Sequence, residues 1–166
     1  MTATRSPHLP PGTLDRRDCL LAALGGTLAL AAGCASKEVV TPVSLNLVAA
    51  ANANPDANGR ASPLAVRLYV LKASSAFSSA DFFSLYDKDS ATLGADLLQR
   101  EEALLRPGET KSFNFSLKPD AQAIGVIAAY RDLERARWRE LRALNVGKPS
   151  HLNVLLEARQ IRIVQR

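Results

Sequence analysis

The chain has 166 residues, with 21 basic and 16 acidic side chains, a formal charge of +5, two histidines and two cysteines. That length suits one domain, and the positive excess is mild and scattered, without the basic stripe and interleaved aromatics of a nucleic-acid surface. So few histidines and cysteines argue against a disulfide framework, a multi-histidine metal site or histidine-based catalysis.

Met1 to Thr13 is polar, holds Pro7, Pro10 and Pro11, and is expected to be disordered. Arg16-Arg17 is a positive region, and Cys19 to Ala32 is a run of 14 residues rich in Leu and Ala. That run is shorter than the roughly 20 residues a permanent membrane span needs. It closes on Leu30-Ala31-Ala32-Gly33-Cys34, with Ala35-Ser36-Lys37 behind it. Small side chains before a cysteine are the pattern of a bacterial lipoprotein signal, where a peptidase with a narrow cleft cuts beside the bilayer. Cys34 then carries the thiol that can take a thioether-linked diacylglycerol.

The expected organisation is a cleaved leader over residues 1–33, a lipidated linker over 34–42 and a β-sandwich domain over 43–166. Ala35 stands where an aspartate would favour inner-membrane retention, so outer-membrane sorting is expected. Arg16-Arg17-Asp18-Cys19-Leu20 resembles a twin-arginine export signal, and the ordinary secretory route stays open beside it. Without Arg5, Arg16, Arg17, Asp15 and Asp18, the remaining 133 residues keep 18 basic and 14 acidic side chains, a net +4. That is enough chain for a single core without disulfides or metals.

Val43 to Leu47 alternates apolar and polar at period two, the signal of a half-buried strand. Asn52 to Pro63 is dense in Asn, Pro, Asp and Gly, each a turn former. It is long for a hairpin connection, and loops of that length are functional or disordered. Val66 to Leu71 is apolar on most of both faces and is expected to be a central strand. Ser79 is placed to cap a short helix holding Phe82, Phe83 and Tyr86, and these aromatics are expected to plug one end of the core. Leu97 to Leu105 has helical propensity, yet Arg106-Pro107-Gly108-Glu109 is a turn that joins strands. The expectation is a short helix passing into a strand near Glu101 to Leu105.

Thr110 to Leu117 alternates clearly, and Ala123 to Tyr130 is almost wholly apolar, a second central strand. Gly125 within it marks a bulge or a close backbone approach. A helix through Leu133 to Leu144 fits the periodicity equally well, but the strand-like surroundings favour a strand near Arg137 to Ala143, with Arg135, Arg137 and Arg139 on one face and Trp138 buried on the other. With Arg142 these arginines form either a solvated face or a contact for a partner or anionic lipid headgroups. His151 to Glu157 and Gln160 to Val164 complete seven or eight short strands, the form of an all-β antiparallel sandwich.

The chain contains no Gly-rich phosphate loop, dinucleotide fingerprint or nucleophile elbow. Asp87-Lys88-Asp89-Ser90 lacks the later ligands of a calcium loop and reads as a solvated turn. No enzyme activity, cofactor, metal site or small-molecule substrate is expected.

Several stretches together carry a resemblance. They are Pro63 to Leu71, Phe82-Phe83-Ser84-Leu85-Tyr86, Leu105 to Glu109, and Ile124 to Leu133 followed by Trp138-Arg139. With the cysteine motif ahead of them, the chain from Cys34 to Val164 resembles the type VI secretion outer-membrane lipoprotein family, called TssJ, SciN or VasD. The resemblance implies a transthyretin-like sandwich with helical additions, lipid-anchored on the periplasmic face of the outer membrane and without enzymatic activity. It implies that the chain binds the periplasmic domain of TssM, and through it TssL. It also implies that the loop between the first two strands makes that contact, here through Asn54, Pro55, Asp56, Asn58, Gly59 and Arg60. The rival reading is a different periplasmic ligand-binding lipoprotein with a β-sandwich domain.

Overall fold

The computed structural model describes residues 39–165. The leader and Cys34 lie outside the described residues. Strand β1, Thr41–Ala49, alternates as its sequence requires: Val43, Leu45, Leu47 and Ala49 are buried, with Ser44, Asn46 and Val48 half-exposed between them. It starts two residues before the expected Val43 because Thr41 is also buried, and its hydroxyl accepts the Gly147 N–H at 2.8 Å.

The remaining elements are β2 (Leu64–Leu71), three short helices α1 (Ser75–Ser79), α2 (Phe82–Asp87) and α3 (Asp89–Leu93), then β3 (Leu97–Leu105), β4 (Thr110–Leu117), β5 (Ala123–Ala128), β6 (Arg139–Ala143), β7 (Ser150–Leu156) and β8 (Ile161–Gln165). Two four-stranded sheets result, ordered β4-β1-β7-β8 and β3-β2-β5-β6. The pairings are antiparallel except β1 with β7, which run parallel from Val43 opposite Ser150 to Ala49 opposite Leu156. Val43, Leu45, Leu47, Val66, Leu68, Val126, Leu152 and Val154 fill the space between the sheets. Full burial of each such side chain contributes about 1.5–3 kcal/mol.

β2 and β5 are apolar on both faces because both faces are covered. Tyr69, Leu71, Ala123 and Ile127 point away from the sandwich interior and meet Phe77, Phe82, Leu85 and Leu93 of the helical segment. The aromatics therefore coat the outer face of the second sheet; they do not plug an end of the core as expected. Gly125 is required here by a close approach: a Cβ on it would lie 2.7 Å from Phe77 Cζ. Tyr69 donates its buried hydroxyl to the Leu85 carbonyl at 2.9 Å, and burial pushes its pKa up to about 12.

Other expectations are corrected by local physics. Asp81, rather than Ser79, caps α2: its carboxylate accepts the Ser84 N–H at 3.0 Å, while Ser79 closes the preceding helix. Leu97–Leu105 is strand throughout, because its ladder to β2 sets Glu102 opposite Arg67, and those side chains pair at 3.0 Å. Tertiary pairing has overridden helical propensity. The strand expected at Arg137 begins at Arg139, and Arg135 belongs to a 3₁₀ turn over Leu133–Arg135. Arg135, Arg137 and Arg139 thus share no strand face. Trp138 is half-buried, edge-on to Phe82 with ring centroids 5.3 Å apart. Arg139 is no solvated charge: it donates to the Phe77 carbonyl at 3.0 Å and the Ala80 carbonyl at 2.7 Å, tying β6 to the end of α1.

Candidate functional site

The β1–β2 connection, residues 50–63, is an ordered structure built on two side chains. Asn54 has φ of 50°, in the left-handed region that Asn tolerates better than most residues. Its amide donates to the Pro63 carbonyl at 2.7 Å, and its carbonyl accepts the Arg131 N–H at 2.8 Å. The first bond closes the base of the loop, and the second fastens it to the segment that follows β5. Ala53 is fully buried beneath it.

Asp56 organises the tip. Its Oδ1 accepts the N–H groups of Asn58 and Arg60, both at 2.9 Å, and its Oδ2 accepts Arg60 Nε at 2.9 Å. This is an Asx turn, a side chain standing in for backbone in a tight reversal. The Arg60 N–H first, then the Arg60 guanidinium, the Asn58 N–H and the charge of Arg131, hold the Asp56 carboxyl below the usual carboxylate range. Gly59 completes the turn at φ of 79°.

The six residues proposed for partner contact thus fall into two groups. Asn58, Gly59 and Arg60 are exposed at the tip, with Pro55 and Asp56 half-exposed beside them. Asn54 is 3% exposed with both ends of its amide bonded, so it shapes the loop and offers no side chain to a partner. Sequence alone gave one signal of this: an Asn among turn formers can serve as cap, clasp or left-handed residue.

Two further segments lie against the loop. The chain after β5 runs through Arg131, Asp132 and the 3₁₀ turn to Arg137, whose N–H donates to the Arg159 carbonyl at 2.8 Å. Arg159 lies in the β7–β8 turn, which Tyr130 secures by donating its hydroxyl to the Gln160 carbonyl at 2.8 Å. Burial first, then the charge of Glu157, raises the Tyr130 pKa, so the group stays a donor. The three segments enclose two open clefts. One, of about 680 Å³, is lined by Ala50, Asn52, Arg135, Arg137, Glu157 and Arg159 among others. The other, of about 460 Å³, is lined by Pro55, Asp56, Arg131, Asp132, Arg135 and Arg159 among others.

Elsewhere, Asp89 is not the solvated loop residue expected. It is buried and pairs with Arg100 at 2.8 Å and Arg67 at 3.9 Å. Burial opposes its charged form, but the Arg100 bond, the Ser90 N–H and the charges of Arg100 and Arg67 outweigh that and hold its pKa below the ordinary value. Among the described residues, no group of three or more His, Cys, Asp or Glu side chains is arranged to hold a metal ion. No described helix is long and apolar enough to cross a membrane.

Comparison with known proteins places this architecture. No curated protein matches the chain. The crystal structure of the T6SS lipoprotein TssJ1 from Pseudomonas aeruginosa is 46% identical, with a TM-score of 0.75 over 76% of this chain and 97% of that one. Lip of Serratia marcescens, a membrane-bound component of the type VI secretion system, is 28% identical, with a TM-score of 0.70 over 77% of this chain and 99% of its own. A chain of a type VI membrane complex shares the fold at 24% identity and a TM-score of 0.61, over 75% of this chain and 97% of that one. Residues 41–159 match the model of the family described as type VI secretion lipoprotein, VasD, EvfM, TssJ. The chain belongs to the type VI secretion lipoprotein family.

Proposed function

We propose that this lipoprotein tethers a secretion membrane complex to the periplasmic face of the outer membrane. Acyl chains on Cys34 hold one end, and the β1–β2 loop, through Pro55, Asp56, Asn58, Gly59 and Arg60, captures the periplasmic domain of TssM, which connects to TssL. The domain organisation proposed with it is a cleaved leader over residues 1–33, a lipidated linker from Cys34 and the sandwich beyond. The protein works as a binding module, without catalysis.

The observation that carries this reading is the course of β1. The strand begins at Thr41, a few residues past Cys34, and ends at Ala49, where the loop starts. Nine residues at a rise of about 3.3 Å separate the two ends by roughly 26 Å. An anchor and a binding loop joined by one rigid strand suit a bridge. Lipid burial contributes about 0.8 kcal/mol per CH₂, and stable anchoring takes more than one chain, which a triacylated cysteine provides. The loop is exposed yet stiffly held, which is how scaffolds present recognition residues. The clefts beside it are lined by arginine and carboxylate side chains, which favours a protein partner over the aromatic platform expected of a carbohydrate-binding lipoprotein.

Two variants test the two ends separately. Deleting Pro55–Arg60 is expected to leave a folded protein that no longer captures the TssM periplasmic domain in a pull-down; unchanged capture removes the loop from the account. Cys34→Ser is expected to leave the outer-membrane fraction; if it stays there, acylation is not the anchor.

A further inference from the structure

The two clefts share Arg135 and Arg159 as a common wall. With Arg131 and Arg137 these side chains gather guanidinium groups from two chain segments at one end of the sandwich. The carboxylates that pair with them lie lower, and Glu134, exposed in the same 3₁₀ turn as Arg135, lines neither cleft. Asp132 pairs with Arg159 at 3.3 Å and with Arg135 at 4.0 Å. Its side chain is 33% exposed, against 54% for Arg159 and 79% for Arg135. Glu140 holds Arg137 at 2.7 Å, and its side chain is likewise the more buried of the pair. Glu157 is engaged by Arg162 and Gln160. The carboxylates position the arginines from below. Each guanidinium has five N–H donors in a planar fork, and one ion pair occupies one or two of them. The outward donors are left to solvent.

We infer that this arginine-walled pair of clefts is a second recognition surface, which receives an acidic segment of the same protein partner that engages the β1–β2 loop. The inference rests on the loop reading above and extends the contact to residues 131–137 and the β7–β8 turn. Three features specify the occupant. The openings are concave and sized for side chains, and their outer walls present bidentate donors that fit carboxylates. They lie at the far end of β1 from the chain's N-terminal entry at Thr41, which sets them away from the lipid surface the anchor implies. Finally, Asn54 bonds the loop directly to Arg131, so a partner seated on the loop tip lies over the clefts. Charge complementarity there raises the association rate and confers salt dependence.

The test uses the full-length lipoprotein in detergent and the TssM periplasmic domain from the same genome, with affinity measured at low and high salt. Arg135→Glu and Arg159→Glu are compared with Lys148→Glu, which makes the same charge change in the β6–β7 turn at the opposite end. Arg135→Glu is the main probe, since its ion pair to Asp132 is long and exposed; an unchanged melting temperature shows that it folds. Each cleft reversal is expected to weaken binding about tenfold and to flatten the salt dependence, while Lys148→Glu binds like the natural protein. Cleft reversals within about twofold of the natural protein, with capture still abolished by deleting Pro55–Arg60, overturn the clefts and leave the loop reading standing. Equal weakening by Lys148→Glu overturns the proposal in favour of net charge alone. Loss of binding to phosphatidylglycerol vesicles with TssM binding intact overturns it in favour of a lipid surface. A natural protein that captures no TssM overturns both readings together.

Discussion

Two insertions flank β2, and they are held by opposite kinds of force. The stretch before it, residues 50–63, buries only Ala53, Asn54 and Ser62 and is shaped by hydrogen bonds to Asn54 and Asp56. The stretch after it, residues 72–96, is shaped by burial: Phe77, Phe82, Leu85 and Leu93 cover Tyr69, Leu71 and Ile127 on the outer face of the second sheet. Polar clasps fix a backbone while leaving most donors at its tip exposed, so Asn58 remains available, and Arg60 keeps its outer guanidinium donors although its Nε bonds Asp56. Burial consumes the side chains that do the fixing. The same strand therefore carries a presenting loop on one side and a structural cover on the other.

Breaking the cover should cost the most. Phe77→Ala is expected to lower stability by about 3–5 kcal/mol in denaturant unfolding, since it empties the centre of the outer layer. TssM capture by the fraction that remains folded should be intact. Gly125→Ala attacks the same contact from the strand side, and overpacking against Phe77 is expected to cost about 1–3 kcal/mol.

The clasp should be weaker and more selective. Asn54→Ala leaves the Pro63 carbonyl and the Arg131 N–H without their partner, a loss of about 1–3 kcal/mol by thermal unfolding. Unlike Phe77→Ala, it should also weaken capture of TssM, because the loop and the arginine segment come apart.

The smallest effect lies in pH. The folded pKa of Asp89 is depressed, so its contribution is complete above the ordinary value of 3.8 and is lost as pH falls below it. Asp89→Asn should make the acid limb of a stability–pH curve shallower and leave the region near neutrality parallel to that of the natural protein. A mutant curve of unchanged shape would detach the Asp89–Arg100 pair from stability.

Much of this plan was legible from residue patterns. Period-two alternation located β1, β4 and β7, and two-faced apolarity marked β2 and β5 as central. Gly125 signalled either a bulge or a close approach, of which the approach to Phe77 is the one that occurs, and the run of turn formers marked the loop. What escaped were effects of one segment on another. Leu97–Leu105 has helical residues, and only the pairing of Glu102 with Arg67 across the ladder makes it a strand. Arg139 reads as a surface charge until α1 supplies two carbonyls for it. The parallel β1–β7 pair depends on the order in which the sheet assembles, which no local signal states. At the site, the exposed tip was legible because Asn58-Gly59 is a turn in any context. The clasp by Asn54 was not, because its partner Arg131 is 77 residues away.

In the tether proposed above, anchor and partner occupy opposite ends of one strand, β1. Photo-crosslinking in intact cells tests it most directly, with the crosslinking residue placed at Asn58 on the loop tip or at Lys148 in the turn at the anchor end. A TssM adduct is expected from Asn58 and none from Lys148. An adduct from Lys148 without one from Asn58 would contradict it.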